Sequence, residues 1–339
     1  MTVAALTLFK FCFADWKTFR KRVQKMAQVS SNVVKKDKKI TLKEMKRQYP
    51  LMIISFIAVV YGFIFCYWPL TGWLMAFQNY KPKYGLLHSK FVGLAKFQFL
   101  FEDKTFLQVI RNTFCMGLLN LVTSTVMAIL FAILLNEIRH TFLKKSIQTV
   151  SYLPHFLSWI IVTGILHDAL SSSGIVNELM LKFGIVDQAL NFFAYPKYFW
   201  PIVAFANCWK ETGWNAIIYL SAITAIDPCL YEAASIDGAG RIQKILHITF
   251  PGIKPTIMIL LLMNIGWVLN AGFEVQYLLG NGLVQSVSQT IDIYVLKWGI
   301  SQNDYSLGTA AGIFKSVVSI GLIFLCNWWA RKTGEESLF

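Results

Sequence analysis

Long apolar runs alternate with short polar ones along most of the chain, and the polar stretches differ from one another in length and charge. A helix that crosses a bilayer needs about 20 mostly apolar residues. Six segments meet that length: Leu51 to Phe77, Asn112 to Leu135, Ile147 to His167, Tyr198 to Ile226, Thr256 to Leu279, and Leu307 to Ala330. The pattern predicts an all-α polytopic membrane protein, with six transmembrane helices over 51–339 behind a tail of residues 1–50. One polar stretch is too long for this rhythm. "LYEAASIDGAGRIQKILHITFPGIKP", Leu230 to Pro255, is as polar as a soluble helical hairpin, yet it lies between two of the most apolar runs.

Turn chemistry gives that stretch a shape. Asp227 followed by Pro228 starts a helix, with an acceptor side chain at the cap and proline where its missing N–H costs nothing. The helix is predicted over Pro228 to Ile236. Asp237 and Gly238 then break it, because glycine takes the positive φ that ends a helix. A second short helix is predicted from Ala239 to Ile248, with Pro251 and Pro255 stopping it before the fifth span. A few residues suffice to join two membrane helices. A hairpin over 227–255 therefore reads either as a docking element or as an amphipathic loop on the membrane. Ala233, Ala234, Gly238 and Ala239 admit close approach by a partner, and Glu232 and Asp237 offer carboxylates.

Charge orients the spans. Residues 1–50 hold 13 basic residues against the acids Asp15, Asp37 and Glu44, which keeps the N-terminus in the cytoplasm, and an even number of spans returns the C-terminus there. The hairpin is then cytoplasmic. The first external loop disagrees, since Lys81, Lys83, Lys90, Lys96, Lys104 and Arg111 crowd it; the denser N-terminal cluster outweighs it. The net charge of +14 sits largely beside a span, so attraction to anionic lipid is the plainer reading and nucleic acid is not implied. Hydrophobic residues make up 55% of the 339, too many for an ordinary soluble domain. The start, "MTVAALTLFKFC", is broken by Lys10 and does not read as a signal peptide. The six cysteines are scattered and read as small buried hydrophobes.

Polar groups inside spans are costly and hence candidates for function. In the fourth span Lys210 and Glu211 are followed one turn on by Trp214 and Asn215. In the fifth, Asn264, Trp267, Asn270 and Glu274 recur at helical spacing as a polar stripe. Amides and carboxylates suit sugar hydroxyls, and indoles suit sugar C–H faces. The bland alternatives stay open: hydrogen bonding between helices for the asparagines, and mutual neutralisation or a contact with a second subunit for Lys210 and Glu211. Lys315, in the sixth span, is placed to snorkel outward. Trp68, Trp73, Trp159, Trp200, Trp298, Trp328 and Trp329 read first as interfacial anchors. His155 and His167 are too far apart in sequence for a metal pair, no Walker A motif is present, and no cofactor is expected. A membrane transferase acting on lipid-linked substrates would need an acid/base or metal constellation, and a self-powered transporter would commonly show an inverted repeat. Neither signature is visible.

The hairpin "EAASIDGAGRIQKILHITFPGIKP" resembles the EAA loop of permease subunits in bacterial ATP-driven (ABC) importers. Glu232, Ala233, Ala234, Asp237, Gly238, Ala239, Ile248 and Pro251 fall on that pattern, and Ile245 stands where phenylalanine is usual. "WPLTGWLMAFQNYKP", "YLPHFLSWIIVTGIL", "WKETGWNAIIYLSAI", "IDIYVLKWGISQNDYSLGTAAGIF" and "TGEESLF" are similar to the carbohydrate branch, covering roughly residues 45 to 339. The resemblance implies a type I importer permease for oligosaccharides or polysaccharide fragments, without catalysis of its own. It also implies a coupling loop seated in a separate ATPase dimer that holds ATP and magnesium. A second homologous permease, an external solute-binding lipoprotein and alternating access complete what it implies.

Overall fold

The computed structural model describes residues 42–334 and Ser337; the predicted basic tail falls mostly outside them. The described chain divides at Leu70/Thr71 into two units. In the first, a helix Leu42–Gly62 runs into a π-turn at Phe63–Tyr67. Phe56, Val59, Tyr61 and Phe65 are among its exposed apolar side chains, the composition of a helix that faces hydrocarbon.

The second unit is built on a long helix, Lys104–Glu137, and a second one packed along it, Pro196–Thr224. Asp103 caps the former by accepting from the Thr105 N–H at 2.8 Å. Proline occupies the first position of the latter, where no donor is lost. Their contact is made by small residues, Ala128 and Ala132 against Ala216, with Tyr219 and Ile253 filling the layer. Small side chains let helix backbones approach where no water drives association. The sixth span, Tyr305–Lys332, starts at a capping Asp304. Its Leu307 and Ala310 pack on Phe106 and Tyr294. A two-stranded antiparallel ribbon pairs Gln78 with Phe91 and Asn79 with Lys90. Among the described residues five helices are long and apolar enough to cross a membrane, or six if Pro196–Thr224 and Pro228–Ile236, bent by 68°, count as one span.

Three predicted elements are corrected. The third predicted span, Ile147 to His167, is broken: Thr141–Tyr152 ends in a 3-10 turn at Leu153–Phe156, and Trp159–Leu170 begins anew behind Ser158. Pro154 supplies no N–H to continue the ladder, and Ser158 caps the new helix through the Ile161 N–H. The fifth predicted span, Thr256 to Leu279, ends at Ile265; tight turns follow, and Phe273–Leu279 restarts after Gly272, whose φ is +87°. The prolines do not stop the helix after the hairpin. Arg241–Ile265 is continuous, because a π-turn at Ile245–Thr249 lets the Phe250 N–H reach the Ile245 carbonyl just before Pro251. The widened turn gives the proline ring room and absorbs the lost bond. The same device precedes Pro69, where the Trp68 N–H bonds to the Phe63 carbonyl.

Two glycines are required by close backbone approach. A β-carbon on Gly117 would lie 1.8 Å from the Val268 carbonyl oxygen, and one on Gly213 would lie 2.1 Å from that of Ser151. Gly117→Val is expected to lower stability by about 3 kcal/mol, since neither backbone can yield without unpacking the layer. The thermal unfolding midpoint in detergent measures this; an unchanged midpoint would show that the break at 266–272 is not held against the second span.

Candidate functional site

The hairpin folds as its turn residues dictate. Asp227 accepts from the Cys229 N–H at 2.9 Å, and Pro228–Ile236 follows as a helix. Gly238 turns the chain at φ +79°, which an L side chain rarely adopts. The Gln243 side chain accepts from the Gly240 N–H at 2.7 Å and starts the next helix. Lys244 Nζ donates to Ser235 Oγ at 2.7 Å, and the Tyr231 and Thr249 hydroxyls meet at 2.9 Å, so the two arms are tied to one another. Asp227 beside Cys229, first through a hydrogen bond and then through its charge, pushes the thiol pKa up.

The tip stays uncovered. Glu232, Ala233, Asp237 and Gly238 are exposed, and so are apolar Ile236 (87%) and Ile242 (73%). Ala234, Asp237, Gly238 and Ala239 help line a shallow concavity of about 330 Å³ with Lys244 and His247. Ile245 lies in the π-turn and Pro251 in the helix that follows.

A second cavity, of about 410 Å³, lies between the second span, the fourth span and the break after the fifth. Of the residues singled out in sequence, Glu211, Asn215, Asn264, Trp267 and Asn270 line it. The break brings Trp267 and Asn270 there: turn bonds from Trp267 N to Asn264 O (2.9 Å) and from Asn270 N to Trp267 O (2.8 Å) curl the chain over the opening. Gln276, fully buried, reaches back to the Ala271 carbonyl and pins the end of the curl. The helical stripe is thus corrected to a curl, and Glu274, exposed on the next helix, does not line the cavity.

Lys210 and Trp214 are not in the lining either. Lys210 Nζ donates to the His155 carbonyl at 2.5 Å, approaches Glu211 Oε1 at 3.5 Å and sits 5.5 Å from the centre of the Trp159 ring. Glu211 Oε2 meets His155 Nδ1 at 2.8 Å, and the His155 ring stacks on Trp214 at 4.5 Å. These contacts form a knot that fastens the broken third span to the fourth. Asn215 bonds across helices to Ser124 Oγ at 3.1 Å while also lining the cavity.

Sequence reading passed over Asn120, Ser124, Thr125, Asn207 and Tyr219, which also line the cavity. The signal was present: Asn207, Glu211 and Asn215 are spaced by four, as are Asn120 and Ser124, the spacing of one helix face. His155 gave none, because its role depends on the break in the third span.

Around the opposite end of these helices, ion pairs and amides hold the loops. Lys315 does not snorkel; its ammonium meets both Asp292 oxygens at 2.6 and 2.8 Å. Lys96 pairs with Asp304 at 2.9 Å. Asn112 Nδ2 donates to the Ser286 and Gln289 carbonyls, and Trp200 Nε1 to that of Val287 at 3.0 Å. Tyr294 donates to Asp103, and burial together with that carboxylate pushes its phenol pKa up. Trp159, Trp200 and Trp298 thus pack inward, whereas Trp68, Trp328 and Trp329 are exposed as anchors would be.

A family model described as "Binding-protein-dependent transport system inner membrane component" matches residues 124–334. The chain is 41% identical over 305 residues, 90% of its length and 94% of the relative's, to the polygalacturonan/rhamnogalacturonan transport system permease protein YteP of Bacillus subtilis. It is 27% identical over 94% of its length, and 99% of the relative's, to the arabinooligosaccharides transport system permease protein AraP of Halalkalibacterium halodurans. A chain in the crystal structure of a bacterial alginate ABC transporter, in complex with an alginate pentasaccharide-bound periplasmic protein, superposes with a TM-score of 0.81 at 35% identity. The match covers 88% of this chain and all of that one.

Proposed function

This chain belongs to the family of binding-protein-dependent transport system inner membrane components, the permeases of sugar ABC importers, and from that premise we propose how it couples and what it holds. It forms half of a pathway for oligosaccharides or polysaccharide fragments, with a second permease closing the open side of the 410 Å³ cavity. Its partners are an ATPase dimer, which carries ATP and magnesium, and an external binding lipoprotein. The complex in which a neighbouring alginate transporter was solved supports the latter. The N- and C-termini face the cytoplasm, as does the hairpin.

One observation carries this reading. The helix that leaves the exposed hairpin at Arg241 continues unbroken to Ile265, and Asn264 near its end lines the cavity. At about 1.5 Å per residue it spans roughly 35 Å, so a displacement imposed on the hairpin reaches the lining as a rigid-body movement. Alternating access then needs only that ATP binding and hydrolysis bias the hairpin between two positions.

Reconstituted vesicles test this. Oligosaccharide uptake is expected only when this chain, a second permease, the ATPase and the binding protein are all present and ATP is supplied. Uptake by this chain alone without nucleotide would overturn the proposal.

A further inference from the structure

We propose that the ribbon after the first span is a seat for anionic phospholipid of the outer leaflet; the leaflet rests on the orientation proposed above. The apolar run Gln48–Phe77 ends one residue before the ribbon. The Phe77 carbonyl accepts from the Val92 N–H at 2.8 Å and from the Gly93 N–H at 3.1 Å, so the returning strand is tied to the last residue of that run. Phe91 and Leu94 flank this tie, and with Leu87 they are exposed by 66%, 67% and 89%. Lys81, Lys83 and Lys90 lie among them, all exposed. Among the described residues none of the three pairs with an acid.

The arrangement is held in place. Ser89 Oγ donates to the Gly85 carbonyl at 2.6 Å and accepts from the Lys81 N–H at 3.3 Å. The Tyr80 N–H donates to Ser306 Oγ at 2.9 Å, which fixes the ribbon to the start of the sixth span. An ordered surface that keeps leucine and phenylalanine beside unpaired ammonium groups suits a bilayer interface, where apolar side chains enter the acyl boundary and lysines reach lipid phosphates. It suits a protein partner less well, because protein interfaces are depleted of lysine. Outer loops are ordinarily poor in lysine, so orientation gives these three no role, and the phosphate contact does.

The test uses the complete importer in nanodiscs of phosphatidylglycerol and phosphatidylcholine at about 1:3, with a photo-reactive benzoylphenylalanine in place of Leu87. Lipid adducts are expected, with the ratio of phosphatidylglycerol to phosphatidylcholine about tenfold above that of the bilayer, from about fivefold for each of two lysines less screening by salt. Lys83→Gln combined with Lys90→Gln should return the ratio to the bilayer value while the phosphatidylcholine adduct persists. Wild-type adducts in the bilayer ratio, a ratio that the double variant leaves unchanged, no lipid adduct, or adducts chiefly with added binding protein or another subunit would each overturn the proposal. The leaflet is read separately in spheroplasts: an impermeant amine reagent should label Lys83 and Lys90 as fully as after permeabilisation, and labelling only after permeabilisation would overturn the outer placement and the orientation together. ATP-driven uptake in vesicles is scored apart from both, so sugar transport can stand while the lipid seat falls.

Discussion

Glu232→Lys and Gly238→Pro are each expected to leave the chain inserted in the membrane and to weaken its hold on the ATPase about thirtyfold or more, with uptake lost in proportion. The magnitude is that of a docking hot spot, about 2 kcal/mol or above. Different physics underlies the two variants. The Glu232 side chain is exposed on the first arm, so its change falls on the surface a partner would meet. Gly238 holds φ at +79°, whereas proline fixes φ near −65°; this variant destroys the turn and with it the relation between Ser235 and Lys244. Co-purification with the ATPase, set beside the amount of chain in the membrane, measures both. Normal association and normal uptake in Glu232→Lys would remove the hairpin from the coupling path.

The contrast between these positions and the cavity shows what the sequence could reveal. The hairpin was legible to the residue as far as Gly238, because caps and turns act over a few neighbours and leave their signature in Asp227, Pro228 and Gly238. The number of spans was legible for a similar reason, since burial in lipid demands long apolar runs. The breaks were not. Ile147 to His167 and Thr256 to Leu279 both carry enough apolar residues to span. What divides them is Pro154 with Ser158 in one case, and in the other Gly272 with the Gln276 amide that reaches back to Ala271. A hydropathy pattern does not weigh one glycine against a run of leucines. The consequence for Pro251 ran the other way, since a proline expected to end a helix is accommodated by the π-turn before it. Lys210 and Glu211 were recognised as a pair, but the partner that directs them, His155, lies 55 and 56 residues away, and only the close passage of Gly213 against Ser151 brings it there.

Trp267→Ala is expected to lower uptake about tenfold and Asn270→Ala about fivefold, with the ATPase still bound. Trp267 is 70% exposed at the cavity, a large apolar face turned toward space that a membrane protein fills with substrate or a neighbouring chain. Removing it takes away a ring's worth of contact, of the order of 1.4 kcal/mol. Asn270 contributes about one hydrogen bond, worth about 1 kcal/mol. The discriminating control is Trp214→Ala. That ring is in the same spans' polar region, but its neighbours are His155 and Phe156, not the cavity, so its loss should loosen the knot at Glu211 and lower thermal stability more than it raises the concentration of sugar needed for half-maximal uptake. If Trp267→Ala and Asn270→Ala leave the uptake kinetics unchanged while Trp214→Ala shifts them, the sugar runs past His155 and not past the curl at 266–272, and the cavity between the second, fourth and fifth spans is a packing defect of the isolated chain.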